Sequence, residues 1–116
     1  MVDFYGLKTC DTCRKARKAL EAAGNDVAYT DVRDNGVSAK DLKRFAKAVG
    51  WEALLNTRST TWRGLDDADK ADMSEKKAIA LMGQQPTLMK RPVIDHAGDV
   101  TVGWNGNIQQ KWALTT

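Results

Sequence analysis

Thiols and imidazole are scarce in this chain, which holds two cysteines and one histidine among 116 residues. Two cysteines are far too few for a secreted disulfide scaffold, and a chain of this length buries a core without such staples. A tetrahedral zinc site on the pair Cys10 and Cys13 needs two further ligands. Only His96 offers itself as a third, so no metal is expected. Long hydrophobic runs are also absent: no window approaches the roughly 18 apolar residues that span a bilayer. The opening Met1-Val2-Asp3-Phe4-Tyr5 carries an acid and no basic flank, so neither a membrane association nor a secretory signal is expected. Charge of one sign is only mildly in excess, with 18 basic against 15 acidic residues and a net charge of +3. The densest basic run, Arg14-Lys15-Arg17-Lys18, reads as the solvated face of one helix. It lacks the interleaved aromatics on which single-stranded nucleic acid stacks, which argues against direct nucleic-acid binding. Repeats and low-complexity tracts are missing too. These absences leave a cytoplasmic globular protein in a reducing compartment.

The residues that are present alternate between strand and helix patterns. Val2 to Gly6 reads as a short strand, and Cys13, Ala16, Leu20 and Ala23 then fall at helical spacing on one face, stopped by Gly24. A second strand at Val27 to Asp31 precedes a turn at Asp34-Asn35-Gly36. Two strands joined through a helix predict a parallel pair with a right-handed crossover. Ser38 resembles the start of a capping box with Asp41, ahead of a stripe of Leu42, Phe45, Ala46 and Val49 that Gly50 ends. Another helix is expected from Ser74 to Met82, with Gly83 after its end. The segment Trp51 to Arg58, with apolar Ala53, Leu54 and Leu55, fits a helix or a loop. Pro92 to Asp95, a turn at His96-Ala97-Gly98-Asp99 and Val100 to Gly103 read as a hairpin. A last helix from about Asn107 to Leu114 is expected to bury Ile108, Trp112 and Ala113. The order is βαβ, a helical insertion at about 37–88, then ββα. It predicts a single α/β domain over 1–116, thioredoxin-like in arrangement, with a mixed four-stranded sheet.

The stretch KTCDTCRKARKAL, Lys8 to Leu20, gathers both thiols at one helix entrance. A cysteine at a helix N-terminus meets free backbone N–H groups and the positive end of the helix dipole, which favour thiolate over thiol. Lys8 and Arg14 add positive charge. Cys10, at the strand-to-helix junction, is therefore the expected nucleophile. Cys13 lies on the apolar stripe, where it suits either a resolving thiol that attacks a mixed disulfide on Cys10 or a small buried packing residue. Both readings stay open on the sequence alone. A second constellation is Lys90-Arg91-Pro92, whose bland reading is a proline at the first residue of a strand. In thioredoxin-like folds a proline here is cis, and the residue before it faces the nucleophilic cysteine, which would place Arg91 over Cys10. A guanidinium there holds an oxyanion or carboxylate bidentately.

In Tyr5 to Ala16, Gly50 to Arg63 and Lys90-Arg91-Pro92-Val93 the chain resembles the arsenate reductase-like family, which also contains the Spx-type transcription regulators. The likeness runs from residue 2 to about 105, and Tyr5 to Ala16 with Gly50 to Arg63 is most similar to the YffB branch. The resemblance implies a thioredoxin-like fold with a helical insertion, Cys10 as the catalytic cysteine, and Arg91 as one of the arginines that hold the oxyanion. Asn56 or Arg58 falls where another arginine is expected, with Arg58 offset by two positions, and no arginine stands near Gly103-Trp104 where the third belongs. That gap argues against arsenate as the substrate. Cys13 is similar to the second cysteine of the Spx-type proteins.

The implied function is a thiol-dependent oxidoreductase with no bound cofactor and glutathione, or another small thiol, as co-substrate. Cys10, Cys13 and Arg91 are the candidate catalytic residues; Lys8, Thr9, Thr12, Arg14, Arg58 and Pro92 are the candidate substrate-binding residues. The alternative is a Spx-like redox sensor that contacts RNA polymerase, with the cysteine pair as its switch. Thr60 to Arg63 carries the branch resemblance without an evident chemical role, Trp62 reading as packing and Arg63 as solvated. His96, in the expected turn, reads as solvent-exposed.

Overall fold

A computed structural model of the chain describes residues 2–113, with the backbone alone at Ala113. The chain divides into two compact units, Met1–Asn35 with Arg91–Thr116, and Gly36–Lys90.

The first unit is built on β1 (Val2–Gly6), α1 (Asp11–Ala22) and β2 (Val27–Asp31). The β1 strand pairs with β2 in parallel, Val2 opposite Val27 and Gly6 opposite Asp31. On its other edge β1 pairs antiparallel with β3 (Val93–His96), which pairs antiparallel with β4 (Asp99–Val102). The sheet order is β2-β1-β3-β4, mixed and four-stranded, in the thioredoxin-like arrangement expected. Period two puts Val2, Phe4 and Ile94 on a covered face, and period 3.6 puts Cys13, Ala16 and Leu20 of α1 against them. Trp112 of the last helix closes this core and donates from its Nε1 to Thr101 Oγ1 at 2.8 Å. Val2, Phe4, Leu20 and Ile94 each contribute roughly 1.5–3 kcal/mol by this burial. Gly6 is dictated by space, since a Cβ there would stand 2.9 Å from both Cys13 Sγ and a Phe4 ring carbon, and 3.1 Å from the Tyr29 hydroxyl.

Several boundaries differ from the sequence reading. Asp34 and Asn35 of the expected turn at Asp34-Asn35-Gly36 belong instead to a helical turn, α2 (Val32–Asn35), because the Asp31 carboxylate accepts the N–H groups of Arg33 and Asp34 at 2.9 and 3.2 Å and starts it. The hairpin is tighter than expected. Its loop is Ala97-Gly98 alone, both with positive φ (52° and 89°), so His96 ends β3 opposite Asp99, half-buried, and Pro92 and Gly103 fall just outside the strands. The final helix, α8, is described as Gly106–Ala113; the expected burial of the Ala113 side chain and the extension to Leu114 lie outside the described residues.

The second unit is helical. Its α3 (Ala39–Val49) is capped by Ser38, whose hydroxyl accepts the Asp41 N–H at 3.1 Å, and it buries Leu42, Phe45 and Ala46 before Gly50 ends it. The undecided segment forms one helical turn, α4 (Trp51–Leu54); Leu55 then bridges antiparallel to Met89, and Ala53 is exposed and not part of the core. Two further turns follow, α5 (Thr60–Arg63), started by Ser59, and α6 (Asp67–Lys70). Trp62 of α5 is half-buried with the Lys70 ammonium over its ring. The last long helix, α7 (Glu75–Gln84), starts at Ser74 as expected and runs through Gly83. It stops where Pro86 disfavours a helical residue before it, so proline and not glycine sets its end. No helix among the described residues is long and apolar enough to cross a membrane.

Candidate functional site around the cysteine pair

Cys10 is the N-cap of α1, extended at φ −86° and ψ 117°, and half-buried. Its position is fixed from both sides: its N–H donates to Leu7 O at 3.1 Å, and its carbonyl accepts the Arg14 N–H at 3.0 Å. No side chain, that of Cys10 included, accepts the N–H groups of this helix's first turn, and a helix N-terminus left so is where a nearby anion is favoured. Cys13, one turn on, has no exposed surface. Burial pushes its thiol up to about 12, against the lowering effect of the Leu7 backbone N–H and of the Arg91 charge; the hydrogen bond to Cys10 raises it further. Cys13 is therefore held as a neutral thiol hydrogen-bonded to Cys10, and both cysteines are free.

The Arg91–Pro92 peptide is cis, as the thioredoxin-like arrangement leads one to expect. Pro92 is buried, and Arg91 is half-buried with its charge close enough to favour ionisation of Cys13. Arg91 thus lies near the cysteine pair. Lys8 is exposed, with its Nζ 3.2 Å from Asp34 Oδ2. Thr9 and Thr12 flank Cys10 and are exposed, and Arg14 is exposed and paired with Asp11. These residues surround the helix entrance. Arg58 belongs to the other compact unit, where it is exposed and its N–H donates to Asn56 Oδ1 at 3.1 Å.

Two residues escaped the sequence reading. The first is Asp31, buried at the end of β2, whose Oδ2 accepts the Lys8 N–H at 2.9 Å. Together with the bonds from Arg33 and Asp34 this holds its carboxyl below the usual carboxylate range, the Lys8 backbone N–H being the largest cause. Asp31 thereby ties the Leu7-Lys8-Thr9 loop that presents Cys10. Its signal was an aspartate ahead of a short helix, hidden because the strand pattern ran through it. The second is Tyr29, whose ring stacks on Phe4 at 5.0 Å and carries the Arg17 guanidinium at 5.1 Å on its face. Its buried hydroxyl makes no hydrogen bond among the described residues and is pushed up to about 12, by burial first and then by Cys13. Tyr29 and Cys13 share the space above Gly6.

A family model described as the ArsC family matches residues 5–111. Among solved structures, a YffB protein is 37% identical and superposes with a TM-score of 0.92, over 97% of this chain and 99% of that one. An arsenate reductase (ArsC) related protein from Brucella melitensis is 39% identical with a TM-score of 0.73, over 95% of this chain and 92% of that one. The global transcriptional regulator Spx of Listeria innocua is 28% identical over 109 residues, covering 90% of this chain and 81% of that protein.

Proposed function

The chain belongs to the ArsC family, and on that premise we propose that it is a glutathione-dependent thiol-disulfide reductase with Cys10 as nucleophile. One observation carries this reading: the two thiols differ, Cys10 half-buried at a helix N-terminus with no side-chain cap, and Cys13 wholly buried beneath it as a neutral thiol. The Cys10 thiolate attacks one sulfur of a glutathione mixed disulfide. A Cys10–sulfur bond forms as the substrate disulfide breaks, and the departing thiolate takes up a proton from water. A second glutathione thiolate then attacks the glutathione sulfur bonded to Cys10, releasing oxidised glutathione and restoring Cys10. Where Cys13 resolves instead, it first loses its proton and then attacks the Cys10 sulfur, expelling glutathione and leaving an internal disulfide that two further glutathiones reduce. Its high pKa makes that branch the slower one near neutral pH. Arg91 binds the glutathione carboxylate beside the cis-proline, and Lys8, Thr9, Thr12 and Arg14 frame the same entrance. Arsenate, a multiply charged oxyanion, needs several fixed cations converging on one point, whereas Lys8 and Arg14 at this entrance are exposed and paired with Asp34 and Asp11. Such a cycle belongs in the reducing cytoplasm, where the glutathione pool drives it.

Steady-state assays with a glutathione mixed disulfide and with arsenate, on the parent, Cys10→Ser and Arg91→Ala, test the proposal. The expected result is turnover of the mixed disulfide that Cys10→Ser abolishes and Arg91→Ala weakens mainly through KM. Arsenate turnover that depends on both residues, with none on the mixed disulfide, would place the substrate in the wrong class. A second reading, a redox-sensing regulator contacting RNA polymerase through an oxidised cysteine pair, is supported by the similarity to a protein named global transcriptional regulator Spx. Capture of polymerase subunits by the oxidised protein, coupled with no mixed-disulfide turnover, would favour it.

A further inference from the structure

Lys8, Arg14, Arg17 and Tyr29 line a hollow of about 270 Å³ beside the start of α1. Three of its four lining side chains are cationic, and none is a carboxylate. A neighbouring hollow of about 250 Å³, lined by Asp11, Arg14, Lys15 and Lys18, includes an acid and is the poorer anion site. The first hollow adjoins the cysteines. Lys8 is two residues from Cys10, Arg14 lies one helical turn on, its backbone N–H donating to the Cys10 carbonyl at 3.0 Å, and the hydroxyl of the Tyr29 wall shares with Cys13 Sγ the space above Gly6. Arg17 is held in place for binding, its guanidinium 5.1 Å from the centre of the Tyr29 ring while 47% of the side chain stays exposed. A stacked arginine keeps its donor fork oriented, so little freedom is lost when a carboxylate arrives.

We propose that this hollow binds a carboxylate of the peptide thiol, with Arg17 and Lys8 as donors and Tyr29 as the wall that orients Arg17. The inference rests on the glutathione-dependent reading and adds to it a specificity site away from Arg91. A tripeptide thiol carries two carboxylates, which Arg91 and this hollow engage at separate points, so that its sulfur is delivered to Cys10 in one orientation. The three cations now face surface carboxylates, Lys8 with Asp34 at 3.2 Å, Arg17 with Glu21 at 3.6 Å and Arg14 with Asp11. Exposed pairs of this kind contribute little and exchange readily for a ligand.

Binding can be measured without turnover by titrating the reduced protein with S-methylglutathione, which has both carboxylates and no free thiol. The expected result is binding that Arg17→Gln weakens roughly tenfold, that Arg17→Lys weakens less, and that added salt weakens further. The dimethyl ester of the same probe is expected to bind at least about tenfold more weakly than the diacid, with inorganic phosphate failing to displace the diacid. Equal affinity of parent and Arg17→Gln, an ester bound as tightly as the diacid, or displacement by phosphate would overturn the proposal. In the reductase assay Arg17→Gln should raise KM for glutathione by a similar factor while leaving KM for 2-mercaptoethanol unchanged. Arg17-dependent binding in a protein that reduces no mixed disulfide would uphold the hollow and refute the reductase reading.

Discussion

The two compact units handle their polar groups in opposite ways. In Gly36–Lys90, the side chains that organise the backbone sit at or near the surface: Ser38, Ser59 and Ser74 each accept an N–H three residues on, at 3.1, 3.1 and 3.2 Å. The largest side chains buried beneath them, Phe45, Leu42, Leu54, Met82, Leu88 and Met89, are all apolar. In the sheet unit the carboxylates of Asp31 and Asp95, the thiol of Cys13 and the hydroxyl of Tyr29 are all buried. Burying polar groups is unfavourable unless they are matched to partners, so the gathering of Asp31, Cys13 and Tyr29 around the loop and helix that hold Cys10 marks where the fold departs from packing alone. The helical unit is accounted for by capping and apolar periodicity; the sheet unit also moves the titration of Asp31 down and of Cys13 and Tyr29 up from their ordinary ranges.

That contrast can be broken first in the helical unit, where the largest loss is expected. Phe45→Ala should destabilise the protein by about 3–5 kcal/mol. Since the Arg44 guanidinium that lies 4.9 Å over its ring keeps its charge throughout the accessible range, the loss should be the same at every pH, as read by denaturant titration. A loss that changed with pH would blur the distinction between the units. Asp31→Asn in the sheet unit should remove about 1–3 kcal/mol near neutral pH, because three backbone donors lose a carboxylate. Here pH matters, and the sign follows from the lowered pKa. Unfolded Asp31 binds its proton near the ordinary value of ~3.9 and folded Asp31 only at lower pH, so its stabilisation is present above that value and lost as pH falls through the folded one. The gap between parent and Asp31→Asn should therefore close in acid, and a constant gap would contradict the role given to the three donors.

Cys13→Ala sharpens the comparison at the other end of the scale. At neutral pH it should cost about 1 kcal/mol. The folded thiol titrates at about 12 and the unfolded one near ~8.5. Its contribution is thus complete below the unfolded value and lost as pH rises toward the folded one. The parent should lose stability over that alkaline range faster than Cys13→Ala does. The smallest effect belongs again to the helical unit: Ser38→Ala, which removes one exposed cap, should cost ~0.5–1 kcal/mol at any pH.

Most of the fold was legible because its signals are local. Strand alternation placed β1 and β2 with the bounds observed, and serines three residues ahead of helical N–H groups marked the starts of α3 and α7. Where two local signals competed, the reading slipped. Gly83 looked like a stop, yet Pro86 sets the end of α7, and the hairpin loop closed on Ala97-Gly98 instead of four residues. The cysteine pair and the cis proline were legible through motif and element order. Asp31 and Tyr29 were not, because what distinguishes them is contact across the sheet unit: a carboxylate reaching Lys8 at a separation of 23 residues, and a ring between Phe4 and Arg17. Nothing in either residue's immediate neighbours announces such a contact.

The central claim is that burial splits two thiols three residues apart into a nucleophile and a protected partner. Alkylation of the native, reduced protein with iodoacetamide from about pH 5 to about pH 9, followed by peptide mapping, tests it directly. Cys10 should be modified faster than Cys13 by roughly a hundredfold or more, since Cys13 reacts only through local opening, with the difference vanishing in denaturant. Equal rates for the two cysteines in the native protein would contradict the account.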